Sequence, residues 1–220
     1  IMSKPYHRVW SDGCFDLCHF GHFNFMRQAS QLGDELYVGV HNDADITTNK
    51  GVPVFTLEER MELVTSCKWV TAAIPHAPYN TDMAWVDRYN CDVVVHGDDE
   101  CLNADGVDVY AAAKKAKRNK KAYNATVGPK RFVTVPRTKA ISTTNLIGRM
   151  IRLPQSELPS DIDISQLKSV AGSAASLHTY IPTSHRIAQF SNIKEPKPTD
   201  RIVYCDGTFD LLHPGHVSFL

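Results

Sequence analysis

The chain has 220 residues and a mass of 24.6 kDa, room for one large domain or two small ones. Its 24 Lys+Arg match 24 Asp+Glu, which excludes a binder whose hold on nucleic acid rests on a basic excess. With 43% hydrophobic and 22% charged residues the composition is that of a globular domain, and wholesale disorder is excluded.

No apolar run approaches the ~18–20 residues of a transmembrane span. Ile1 to Trp10 holds no apolar signal core, so a cytoplasmic chain is expected. Ile1 before Met2 reads as a fragment edge. The six cysteines, at 14, 18, 67, 91, 101 and 205, form no C-x-x-C pair and read as reduced thiols.

Short apolar runs alternate with amphipathic stretches along the first two thirds of the chain. Val9-Trp10 opens as a strand, and residues 21–32 follow as a helix that Gly33 stops. Glu35–His41 is the next strand. Thr56-Leu-Glu-Glu59 is a capping box, which predicts a helix over 57–67. Strands at Trp69–Ile74, Cys91–His96 and Phe132–Val135 are separated by helices at Asp82–Tyr89 and 108–118, and Ser142–Arg152 is the last helix. Such alternation predicts βαβ units and a parallel sheet with helices on both faces. Residues 155–200 turn rich in Ser, Pro, Thr and Asp and read as a linker.

One string recurs. Val9 to His22 reads V-W-S-D-G-C-F-D-L-C-H-F-G-H, and Val203 to His216 reads V-Y-C-D-G-T-F-D-L-L-H-P-G-H. Nine of the 14 positions are identical, where chance gives roughly one. At a spacing of 194 residues this is a duplicated domain rather than a solenoid repeat. The expected division is a complete domain at 1–152, a linker at 153–200, and at 201–220 the opening of a second copy.

The string places His19 and His22 where a strand ends and a helix begins. Backbone N–H groups and the helix dipole favour an anion there, and Gly13 and Gly21 let backbone approach a ligand. Two imidazoles three residues apart suit a phosphate whose charge grows in a transition state. Taken alone, H-x-x-H could equally be a metal pair; the whole string occurring twice favours the phosphate.

D-G-x-F-D-L-x-H-x-G-H, followed by Arg137-Thr-Lys-Ala-Ile-Ser-Thr-Thr144, resembles the cytidylyltransferases of phospholipid synthesis. The similarity covers residues 8–152. Tandem copies joined by a linker resemble the phosphoethanolamine type, as do Val38–Asp43, Lys50-Gly-x-Pro-Val-Phe-Thr-x-Glu-Glu-Arg60 and His96-Gly-Asp-Asp99. Ala140, Lys139 and Asn145 depart from the residues usual in the second motif.

The resemblance implies a Rossmann-like nucleotidyltransferase domain with a five-stranded parallel sheet, transferring CMP from CTP to phosphoethanolamine. It implies catalytic roles for His19, His22, Lys50 and Arg137. Nucleotide contacts are implied for Gly13, Cys14, Phe15, His96, Asp98, Ile141, Ser142 and Thr143, and a place near the substrate head group for Tyr79 and Asp98. Mg²⁺ is expected to arrive with CTP, with no protein ligand assigned. A homodimer and a peripheral position at the endoplasmic reticulum are compatible with the family. Phosphocholine or glycerol-3-phosphate as the acceptor, or a catalytically idle nucleotide-binding module, are the alternatives. The run Lys114–Lys121 reads as a solvated basic stretch rather than a lipid or nucleic-acid site, and 119–131 as an inserted loop.

Overall fold

The computed structural model describes residues 4–118, 130–139, 141–152, 199, 201, 203 and 205–220. Five parallel strands form one sheet: β1 Tyr6–Gly13, β2 Gly33–Val40, β3 Ala72–Pro75, β4 Val93–Gly97 and β5 Phe132–Val135. Their order is β3-β2-β1-β4-β5. The chain winds outward from β1 to β3, then crosses back to place β4 on the other side of β1. That reversal opens a crevice between the carboxyl ends of β1 and β4, where open α/β sheets take their ligands.

The helices are α1 Phe20–Ser30, α2 Asp43–Asn49, α3 Leu57–Thr65, α4 Met83–Arg88, α5 Ala111–Lys115, α6 Thr143–Arg152 and α7 Pro214–Phe219. Strand alternation splits the core in two. Val9, Val93 and Val95 face a layer with Met26, Leu36, Leu63 and Val64. Trp10 and Val94 face the other, with Val86, Tyr110 and Ala113. The central strands β1 and β4 are therefore buried on both faces, the usual state inside a parallel sheet.

The five strands stand where the sequence puts them, with shifted ends. Gly33 is not a helix stop: α1 closes on Gln31, and Gly33 begins β2. A Cβ at Gly33 would sit 2.5 Å from Val9 Cγ2, so close strand packing is what requires glycine there. α2 was not anticipated. Asn42 caps it by accepting the Asp45 N–H at 2.8 Å, and its Asp43-Ala-Asp start carries acids suited to a helix N-terminus. The helix expected over 108–118 shrinks to Ala111–Lys115, because Ala116 turns extended and Lys117 bridges Lys130.

The basic run is tied into the domain. Lys114 pairs with Asp108 at 2.6 Å and Arg118 with Asp92 at 2.9 Å. Residues 119–129 of the expected insertion, and the expected linker apart from residue 199, lie outside the described residues. The chain divides into two compact units, Ile1–Thr143 with Phe209–Leu220, and Thr144–Thr208. Within the first, α7 lies against α3: Leu212 and Val217 pack on the core, and Ser218 donates to Glu62 at 3.3 Å. No helix among the described residues is long and apolar enough to cross a membrane.

Arg60 ties the carboxyl edge of the sheet together. Its side chain is completely buried. It donates to the carbonyls of Cys14 at 2.6 Å, His41 at 2.8 Å and Phe55 at 3.1 Å, and pairs with the Asp43 carboxylate. Four acceptors in the three segments that follow β1, β2 and α2 thus hang on one guanidinium. Arg60→Ala would leave three carbonyls and a carboxylate without their donor. The expected loss is roughly 3–5 kcal/mol, read as a drop in the urea midpoint; a loss under about 1 kcal/mol, the size of a surface pair, would show that the edge holds without it.

Candidate functional site

The loop from β1 to α1 carries strain that its neighbours hold in place. Phe15 and Leu17 take φ of 53° and 46°, unusual for residues with a Cβ. Both are buried, and Asp16 between them accepts the N–H groups of Val54 and Phe55, each at 2.9 Å. Asp16 thereby fixes the segment that follows Lys50. Its carbonyl takes the Thr143 hydroxyl at 2.9 Å, which pins the start of α6 to the same loop.

His19 and His22 cap α1 reciprocally. Nδ1 of His19 accepts the Gly21 N–H at 3.0 Å, and Nδ1 of His22 accepts the His19 N–H at 3.3 Å. An acceptor nitrogen carries no proton, so in each neutral ring the proton sits on Nε2. The ring centroids lie 3.9 Å apart, the planes tilted by 31°, and the pair offers two N–H donors at a helix start. Burial, then the charges of His19, Lys50 and Arg137, hold the His22 pKa well below its ordinary value. His22 is therefore a neutral donor; cationic charge comes from Lys50 and Arg137. A Cβ at Gly21 would meet the His19 ring at 2.8 Å and Ile141 Cγ2 at 3.0 Å, so Gly21 keeps His19 in place and Ile141 lies beside it.

Lys50 ends α2 and Arg137 follows β5. Burial alone would lower the Lys50 pKa, but Cys14, Tyr79, Cys101 and Asp99 outweigh it and raise it. Arg137 is held by its backbone N–H, which donates to Asp98 at 2.9 Å, and by a half-exposed pair with Asp99 at 3.0 Å. α1 braces the same loop: Asn24 donates to Thr138 at 2.9 Å and Gln28 to the Pro136 carbonyl at 3.1 Å. Asp98 thus positions Arg137. The Thr143 hydroxyl is spent on Asp16, and Ser142 stands at the cap position of α6. The Cβ that Gly13 lacks would touch the Phe15 ring at 3.1 Å. His96 ends β4, its ring 4.4 Å from that of Tyr110.

Further groups not singled out in the sequence complete the crevice. Asp12, buried at the end of β1, accepts from Trp10 Nε1, Thr81 Oγ1 and Tyr110 Oη, each at 2.9 Å. His41 follows β2, its ring tilted against that of Tyr79 with centroids 5.1 Å apart. Tyr79 is buried; burial raises its pKa, and the neighbouring Lys50 ammonium opposes that rise. The signal for Asp12 was present, since it opens the repeated string. His41 lies inside the Val38–Asp43 stretch, though nothing there sets it apart, and nothing local marks Tyr110; the two lie 29 and 98 residues beyond Asp12 in the chain.

The profile of the family described as cytidylyltransferase-like matches residues 10–149, and the chain belongs to that family. An ethanolamine-phosphate cytidylyltransferase of Dictyostelium discoideum is 42% identical over 228 residues, covering 99% of this chain and 59% of that protein. One of Mus musculus is 37% identical, covering 97% and 56%. A probable choline-phosphate cytidylyltransferase of Schizosaccharomyces pombe is 34% identical over 147 residues, covering 66% of this chain and 37% of that protein. The chain spans a little over half the length of the two ethanolamine-phosphate relatives.

Three imidazoles of the crevice, His22, His41 and His96, have pKa values lowered from 6.5, each chiefly by burial. Below pH 6.5 the unfolded chain takes up protons that the folded chain refuses. Stability is therefore full above that pH and is lost as pH falls toward the depressed values, at up to about 1.4 kcal/mol per pH unit for each ring. Urea unfolding from pH 7.5 down to 5.5 should show a falling midpoint, and His22→Asn should flatten the slope. An unchanged midpoint over that range would mean that the rings accept protons in the fold.

Proposed function

We propose that this chain transfers CMP from CTP to phosphoethanolamine, giving CDP-ethanolamine and pyrophosphate. The observation that carries the reading is the reciprocal histidine cap, which aims two N–H donors outward from a helix start. The phosphate of the acceptor attacks the α-phosphorus of CTP. Because that nucleophile is already an anion, no general base is needed, and catalysis rests on positioning and charge stabilisation. His19 and His22 donate to the α-phosphate as its charge grows. Lys50 and Arg137 neutralise the phosphate chain; Arg137 exchanges its exposed pair with Asp99 for the nucleotide. Gly13, Cys14 and Phe15 form the floor beneath it, and Ile141, Ser142 and Thr143 the wall.

Two features favour ethanolamine over choline. The ethanolamine-phosphate relatives match across 97–99% of the chain, the choline-phosphate relative across 66%. The buried Asp12 carboxylate and the Tyr79 hydroxyl supply polar groups that a primary ammonium can use. Mg²⁺ fits as an ion carried by CTP: it takes oxygen ligands, which the triphosphate and water supply. Among the described residues no group of three His, Cys, Asp or Glu side chains could hold a metal, so no protein ligand is assigned to it. A cytoplasmic site of action, peripheral contact with the endoplasmic reticulum and a homodimer belong to the same proposal.

Incubation with CTP and, in parallel, phosphoethanolamine, phosphocholine and glycerol-3-phosphate should yield CDP-ethanolamine fastest. No CDP-alcohol from any of the three would favour an idle nucleotide-binding module. His19→Ala and His22→Ala should each lower kcat by roughly 10²–10³, the usual cost of losing such a donor. Lys50→Ala and Arg137→Ala should weaken CTP more than CMP in titration calorimetry, and equal losses would remove them from the phosphate chain.

A further inference from the structure

His41 is a buried imidazole, 4% exposed, that the proposed transfer of CMP does not use. Its backbone is fixed on both sides. The N–H donates to the Gly13 carbonyl at 3.1 Å, continuing the β1–β2 ladder past Val40, and the carbonyl accepts from Arg60 at 2.8 Å. The ring is fixed as well. Nδ1 lies 3.0 Å from the Ala77 carbonyl, which can only accept, so Nδ1 carries the proton. Burial holds the ring neutral. A neutral imidazole protonated on Nδ1 leaves Nε2 with a bare lone pair, and Nε2 bonds to none of the described residues.

This ring sits beside a second polar side chain. The His41 ring lies tilted against that of Tyr79, with centroids 5.1 Å apart, and Tyr79 is buried with its hydroxyl in reach of Lys50. Among the carboxylates Asp12 acts most strongly on the His41 ring. Its oxygens are locked by Trp10, Thr81 and Tyr110, so it supplies negative potential from a fixed position. A neutral acceptor, a phenol hydroxyl and a fixed carboxylate thus follow or end β2, β3 and β1 at the carboxyl edge of the sheet. A small ligand bearing several N–H donors on one cationic nitrogen would give the His41 acceptor its partner within the negative potential of Asp12.

We propose that His41 is the residue that selects a primary ammonium, its Nε2 accepting an N–H from the amino group of phosphoethanolamine. The inference rests on the proposed function and sharpens it. A quaternary ammonium has no N–H to give, so phosphocholine would bring methyl groups against the Nε2 lone pair and leave it unpaired. A site built around a hydrogen bond rejects an analogue that lacks the donor. Each N-methyl group added to the substrate removes one donor, so preference should fall stepwise along the series from phosphoethanolamine to phosphocholine.

The test is a kcat/KM comparison across phosphoethanolamine, its mono- and dimethyl derivatives and phosphocholine, with the full chain and two variants. His41→Asn keeps an N–H donor for the Ala77 carbonyl and removes the acceptor at the Nε2 position. The ratio of kcat/KM for phosphoethanolamine over phosphocholine should fall roughly 10- to 100-fold, chiefly through KM for phosphoethanolamine. His41→Gln, whose Oε1 reaches the Nε2 position, should recover part of that ratio. A purely structural His41 would lower every substrate alike, and an unchanged ratio in His41→Asn would overturn the inference.

A wild-type enzyme that preferred phosphocholine or glycerol-3-phosphate would instead overturn the functional reading itself. Long-range ¹H–¹⁵N spectra of the wild-type protein need no variant to fold. The His41 Nε2 resonance should shift on adding phosphoethanolamine with CTP and stay in place with phosphocholine. An equal response to both would also overturn the proposal.

Discussion

The carboxyl edge of the sheet depends on one buried guanidinium. Arg60 reaches the carbonyls of Cys14, His41 and Phe55 and the carboxylate of Asp43. Those acceptors belong to the segments that carry the histidine loop, the His41 ring and the approach to α3. A planar five-donor group can satisfy such a set from one point, which an ammonium cannot. Burying this charge is costly, and it is offset by hydrogen bonds to every segment that must be held still. Asp16 plays the complementary part as a buried acceptor, gathering the Val54 and Phe55 amides. Between them the donor and the acceptor fix the loop that carries Lys50 relative to the start of α1.

The site is consequently an assembly of fixed dipoles with mobile charge at its rim. The two capped imidazoles are locked in tautomer and orientation by backbone amides. Arg137, by contrast, is half exposed and paired with Asp99 on the surface, an interaction worth about 0–1 kcal/mol. Such a pair is readily exchanged for a phosphate. For the proposed transfer of CMP, fixed donors at the α-phosphate and exchangeable cations along the phosphate chain would suit a reaction whose charge moves without proton transfer to the protein.

How much of this was legible depended on whether the information is local. The string from Asp12 to His22 encodes its own geometry, and the chain provides the control. At the second copy His213 and His216 cap α7 with the same bonds, at 3.1 and 3.3 Å, and their rings again lie 3.9 Å apart. Phe209 and Leu211 repeat the left-handed backbone of Phe15 and Leu17. The five strands were likewise readable, because short apolar runs alternating with amphipathic stretches leave a plain signal. The roles of Arg60, Asp16 and His41 were not readable. Their partners lie tens of residues away in sequence, and only the strand order brings them together. Asp98, expected near the substrate by resemblance, also accepts the Arg137 amide, a contact with a residue 39 positions away that its own type did not announce.

A structure of the protein with CTP bound bears most directly on the account. The prediction is an α-phosphate oxygen within hydrogen-bonding distance, ~3 Å, of Nε2 on both His19 and His22, with Lys50 on the phosphate chain and Arg137 released from Asp99. Triphosphate bound elsewhere, or imidazoles meeting it through Nδ1 with the cap of α1 broken, would contradict it.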